Sequence, residues 1–179
     1  MFNGHSITHG RFEEPLNDFK GVQVTRIVHH FYESDPSRGH YGGGGIDARP
    51  LYAANPIAFA EAGGAPGEPQ WGASYKKHLE QNYTRHMTIL GSTTSLALDS
   101  NNISIDPTHK DKWGRPSIRV TYRDHDDDLA MARFLQDRAL EIFDAAGAKK
   151  SWGEAVEHQS GGAHLLGTCR MGDDPESSV

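Results

Sequence analysis

The chain has 179 residues, 36% of them hydrophobic, and 18 Lys and Arg against 24 Asp and Glu leave a net charge of -6. That length suits one domain with a real core, and the interspersed charges form no basic stripe for a nucleic-acid backbone. No apolar run reaches the roughly 20 residues of a membrane span. Met1-Phe2-Asn3-Gly4-His5 has neither the basic nor the apolar region of a signal peptide, and a single cysteine, Cys169, excludes an internal disulfide and a zinc site built on several thiolates.

The mean hydropathy of -0.65 is low, which implies generous loops or a surface meant to be covered. Between Gly21 and Tyr32, Val22, Val24 and Val28 alternate with polar residues and predict a strand interrupted at Arg26. Gly42-Gly43-Gly44-Gly45 reads as a flexible turn, because no Walker lysine follows and the dinucleotide glycine spacing is not met. Ala62 to Pro69 is a breaker cluster expected to form a long surface loop.

Trp71 through Arg85 predicts a helix with Tyr75, His78, Leu79 and Tyr83 on one face. Met87 to Leu98 predicts strand, bent at Gly91-Ser92. Ile103 and Ile105, then Ile118, Val120 and Tyr122, mark two half-buried strands that pair antiparallel. A long helix follows, with Asp124, Asp126, Asp127 and Asp128 at its start, a buried stripe of Met131, Leu135, Ala139, Ile142 and Ala146, and Gly147 at its end. The acidic run suits the unpaired amides of a helix N-terminus better than a metal. The order of elements predicts an α+β fold, an antiparallel sheet covered on one face by helices.

Eleven histidines raise a metal hypothesis, but none stands in a recognised zinc spacing, and no metal site is assigned. His164 differs in its company: His164-Leu165-Leu166-Gly167-Thr168-Cys169-Arg170-Met171-Gly172 joins an imidazole to a glycine turn, a hydroxyl, a thiol and a guanidinium. Imidazole, with an unperturbed pKa of about 6.5, is neutral enough near pH 7 to act as a general base. Cys169, in an apolar-flanked turn, reads as a small packing residue.

This segment resembles the active-site block of the glucose-methanol-choline (GMC) family of flavin oxidoreductases, in which a histidine is followed by two residues, Gly-Thr, a variable residue, often Arg, and Met-Gly. Leu165 stands where that family often has proline. Asn102 to Pro107, Trp113-Gly114-Arg115-Pro116 and Tyr122-Arg123-Asp124-His125 resemble the substrate-domain pattern of the branch with gluconate dehydrogenase flavoprotein subunits.

The resemblance implies an FAD-dependent oxidoreductase of alcohols, sugars or polyols, with His164 accepting the hydroxyl proton as hydride passes to the flavin. It implies that residues 1–179 form one incomplete domain, loop-rich over 1–70 and more regular over 71–179. The family's N-terminal glycine fingerprint has no counterpart here, so FAD would be held mainly by segments outside the chain, and the partner of His164 would lie beyond Val179. The piece alone is therefore expected to be inactive. The substrate would be an alcohol, sugar acid or polyol; oxygen, a quinone and a cytochrome are all compatible as electron acceptor, and likeness to the gluconate dehydrogenase branch implies a cytochrome at the periplasmic side. The alternatives are a non-catalytic binding module and a metal-dependent hydrolase.

Overall fold

The computed structural model describes residues 2–178 apart from Thr25, 51–54, Gly63, Ser160, Gly161, Ala163, Thr168 and Arg170. Five strands, β1 (His5–Arg11), β2 (Ile27–Val28), β3 (Gly44–Arg49), β4 (His86–Thr93) and β7 (Lys150–Gly153), form one antiparallel sheet in the order β2-β3-β4-β1-β7. Strands β5 (Asn102–Lys110) and β6 (Pro116–Thr121) pair as a separate hairpin. The helices are α1 (Pro56–Ala62), α2 (Gly72–Asn82) and α3 (Asp126–Ala145). The fold is α+β, and three of its five sheet strands, β1, β2 and β3, come from residues 1–70, the half read as loop-rich.

Helix α3 backs one face of the sheet. Met131, Leu135, Ala139 and Phe143, four apart, lie on one stripe and meet Ile46 of β3 and Ile89 of β4. Leu135 and Met131 are fully buried, each contributing about 1.5–3 kcal/mol of apolar transfer. Ile142 and Ala146, expected on this stripe, face outward instead, since Phe143 and Ala139 complete the 3.6-residue period. Glycine lets the helix sit close: a Cβ on Gly91 would lie 2.5 Å from Ser6 Oγ and 2.8 Å from Leu135 Cβ. Gly91 is thus a packing position inside a continuous β4, not the expected bend, and the strand ends at Thr93 rather than Leu98.

Other expectations are corrected in the same region. The strand predicted over Gly21 to Tyr32 shrinks to Ile27–Val28, and Val22 is exposed, because only those two residues find a partner in β3. The four-glycine turn is instead the approach to and start of β3, where Gly43 and Gly44 are buried. A Cβ on Gly43 would fall 1.8 Å from the Tyr32 carbonyl oxygen, so the run serves close backbone approach. The expected helix over Trp71 to Arg85 is α2 followed by a 3₁₀ turn at Tyr83–Arg85, with Tyr75, His78, Leu79 and Tyr83 half-buried.

The start of α3 is capped, but by a different residue. His125 is the N-cap, its Nδ1 accepting from the Asp127 amide at 3.0 Å, while the Asp128 carboxylate accepts from the His125 amide at 3.2 Å. Asp128 also accepts from the Leu96 amide at 3.1 Å, fixing the helix to the chain leaving β4. The hairpin pairs as predicted, yet its apolar face is not half-buried: Ile103, Ile105, Ile118 and Val120 share one side and are all exposed.

Candidate functional site

Strand alternation divides the sheet chemically. Ile46 points to α3, so Asp47 points to the opposite face, opposite Ile27 of β2 in the register. Next to it opens a cavity of about 600 Å³, within the usual range for a small-molecule site. Its wall includes His29, Tyr32, Gly45, Asp47, Ser92 and Leu166. Asp47 is 7% exposed and its carboxylate is clamped by Arg49, through Nη2 to Oδ2 at 2.6 Å and through Nε to Oδ1.

The His164 block reaches this cavity through the N-terminal residues. Phe2 and Leu165 form an isolated antiparallel bridge, and the Asn3 amide donates to the His164 carbonyl at 2.9 Å. The Asn3 side chain donates to the Thr93 carbonyl at 2.7 Å, so one residue ties the block to the end of β4. Asn3 and Leu166 both line the cavity. The segment leading to the block is anchored as well: the Gln159 amide donates to Asp124 at 2.6 Å, and the Tyr122 hydroxyl donates to the same carboxylate at 2.6 Å. Burial, and then that acceptor, raise the Tyr122 phenol above its ordinary value, so it stays protonated.

His164 is exposed, as are Leu165 and Met171, and Gly167 adopts φ 78° in the turn beyond. Cys169 is exposed too, which corrects its reading as a packing residue. Thr168 and Arg170 of the block lie outside the described residues. Among the described residues, no three His, Cys, Asp or Glu side chains gather as a metal-binding group, and no helix is long and apolar enough to cross a membrane.

The four-glycine run does not form a phosphate cradle. The Gly42 amide donates to Ser34 Oγ at 3.3 Å, that of Gly43 to Thr94 Oγ1 at 2.9 Å, and that of Gly44 to the Phe31 carbonyl at 2.9 Å. With these donors engaged inside the fold, the run has none of the convergent amides that a dinucleotide diphosphate needs.

A second polar group sits at the other end of the same sheet face and was not foreseen from the sequence. His9 Nε2 lies 2.9 Å from Glu154, His9 Nδ1 lies 3.0 Å from His86 Nε2, and Trp152 stacks on His9 at 5.1 Å. Burial, then the proximity of His9, Arg11 and His78, pushes His86 down to about 3, so its ring stays neutral. Phe59 of α1 covers it edge-on at 5.1 Å. A weak sequence signal existed for Asp47: the Asp-Ala-Arg triplet after the glycine run places opposite charges two apart on one strand face.

An α+β domain with a sheet backed by one long helix thus carries, on its opposite face, an open cavity bordered by Leu166 of the His164 block. Residues 97–179 match the family model described as GMC oxidoreductase, in its C-terminal part. The chain belongs to the GMC oxidoreductase family.

It is 34% identical over 166 residues to 2-methyl-1,2-propanediol dehydrogenase of Mycolicibacterium austroafricanum, covering 92% of this chain and 30% of the relative. Gluconate 2-dehydrogenase flavoprotein of Pantoea cypripedii is 28% identical, over 63% of this chain and 20% of its own. The 6'''-hydroxyparomomycin C oxidase of Streptomyces lividus is 28% identical, over 78% and 28% respectively. The chain thus spans no more than 30% of the length of these relatives.

Proposed function

We propose that this chain is the substrate-side domain of an FAD-dependent oxidoreductase acting on the CH–OH group of small alcohols, sugars or polyols. The observation that carries this reading is the exposed His164, whose carbonyl accepts from the Asn3 amide, while Asn3 and Leu166 line a cavity that also carries hydroxyl and imidazole groups. The matches to a diol dehydrogenase and to a gluconate dehydrogenase flavoprotein support the same class of reaction.

The chain's own residues suit the substrate side of a flavin and not its dinucleotide, since the glycine amides are engaged within the fold. When bound, FAD supplies the acceptor for the hydride that leaves the carbinol carbon. His164 accepts the hydroxyl proton on an imidazole nitrogen as the carbonyl forms, so that proton and hydride depart to different acceptors. Asn3 fixes the backbone of the block, and the cavity holds the remainder of the substrate so that the reacting hydroxyl meets the imidazole.

The test is expression of the complete gene, a flavin absorption spectrum, and dye reduction with diols, polyols and sugars, repeated with His164→Ala. The variant is expected to keep the flavin spectrum and lose roughly 100-fold or more in kcat, the range of general-base catalysis. An unchanged rate rejects the base assignment, and a protein without flavin rejects the class.

A further inference from the structure

Resting on the reading of the cavity as the substrate site, we propose that Asp47 makes it selective for neutral or cationic polyhydroxylated alcohols and against sugar acids. Among the described residues of the wall, Asp47 carries the one carboxylate, and no lysine or arginine joins it. The nearby cation is Arg49, which is not part of the wall and directs Nε and Nη2 at Asp47 from the side. That clamp fixes the carboxylate and occupies one acceptor direction on each oxygen. A carboxylate offers about four such directions, so about one per oxygen is left unused by Arg49 in a residue that lines the cavity.

Two acceptor positions on neighbouring oxygens match the donors of two hydroxyls on adjacent carbons, or of a hydroxyl and an ammonium. A substrate carboxylate brought to the same place has no hydrogen to donate to these acceptors, and the part of the Asp47 charge that the Arg49 clamp leaves uncompensated repels it. The rest of the wall adds groups without fixed charge, among them Tyr32, Ser92 and the His29 ring. The cavity's floor is open because Gly45 has no side chain there. A Cβ on Gly45 would lie in ordinary contact, 3.6 Å from His29 Cδ2 and 3.8 Å from Ile27 Cγ2, and would point into the space beside Asp47.

The test uses the flavin-loaded protein from its complete gene, with dye reduction measured for 1,2-propanediol, glucitol, an amino sugar and gluconate. The wild type is expected to prefer the best uncharged or cationic substrate over gluconate by about 100-fold in kcat/KM. Asp47→Asn is expected to cut that preference at least about 10-fold, chiefly by raising KM for the polyol and lowering it for gluconate. Asp47→Glu, which keeps the charge but fills space, is expected to raise KM for polyols while still excluding gluconate, and it serves if the Asn variant does not fold.

Gluconate used as well as glucitol by the wild type overturns the proposal, as does an Asp47→Asn enzyme with an unchanged preference. Gly45→Ala separates this failure from that of the wider reading, because a smaller cavity raises KM for every substrate whatever their charge. If Gly45→Ala raises KM and Asp47→Asn leaves the preference intact, only the selectivity falls. If Gly45→Ala leaves every KM unchanged, or no compound in the panel is oxidised, the cavity is not the substrate site and both fall.

Discussion

Acid should destabilise this fold through His86 in a way that can be calculated. The ring is 5% exposed and burial is the largest cause of its depressed pKa, moved from 6.5 to about 3. The unfolded chain therefore takes up this proton near pH 6.5, while the folded chain refuses it until about pH 3. Between those values the unfolded state binds more protons, so stability falls as pH falls and is fully present only above pH 6.5. Each unit of pH in that window removes about 1.36 kcal/mol, so a drop to about pH 4.5 costs about 2.7 kcal/mol from this residue. Urea unfolding followed by circular dichroism at a series of pH values would measure it, with His86→Gln as the reference because the remaining titratable groups are common to both proteins. The difference in unfolding free energy between the two should shrink by about 2.7 kcal/mol from neutral pH to about pH 4.5. A difference that stays constant across that range refutes the assignment of His86 as a buried neutral ring.

Three further outcomes follow from the packing and from the anchoring of the terminal block. Leu135→Ala, at a fully buried position between Gly44, Gly91 and the rest of the core, should cost about 2–5 kcal/mol, read as a lower denaturant midpoint. Gly91→Ala places a methyl group 2.5 Å from Ser6 Oγ and should cost about 1–3 kcal/mol, whereas Gly45→Ala on the opposite face should lie within about 1 kcal/mol of the wild type. Asn3→Ala removes the bond to the Thr93 carbonyl and loosens the strand that holds His164; kcat should fall about 10-fold with the melting temperature nearly unchanged, and an undiminished kcat would show that the block does not need this anchor.

The sequence by itself determined the elements whose cues are local. Helix α3 was legible because an acidic start, an apolar stripe at helical spacing and a terminal glycine follow one another along the chain, and the pairing of β5 with β6 was legible from their alternation. The family resemblance of the segment around His164 was legible as well, because the residues that carry it are adjacent in the chain. What only the tertiary structure decided are the features made by residues far apart. The glycine run reads as a turn in isolation, and becomes strand because Tyr32, Ser92 and Leu135 press against it from three other segments. Strand β1 shows no clear period because its two faces bury different things, serine and threonine beneath α3 and histidine beside Glu154. Asp47 comes to share a cavity with Asn3 and Leu166 only where β2, β3, β4 and the N-terminal residues converge, and no pattern along one chain segment encodes a convergence of four.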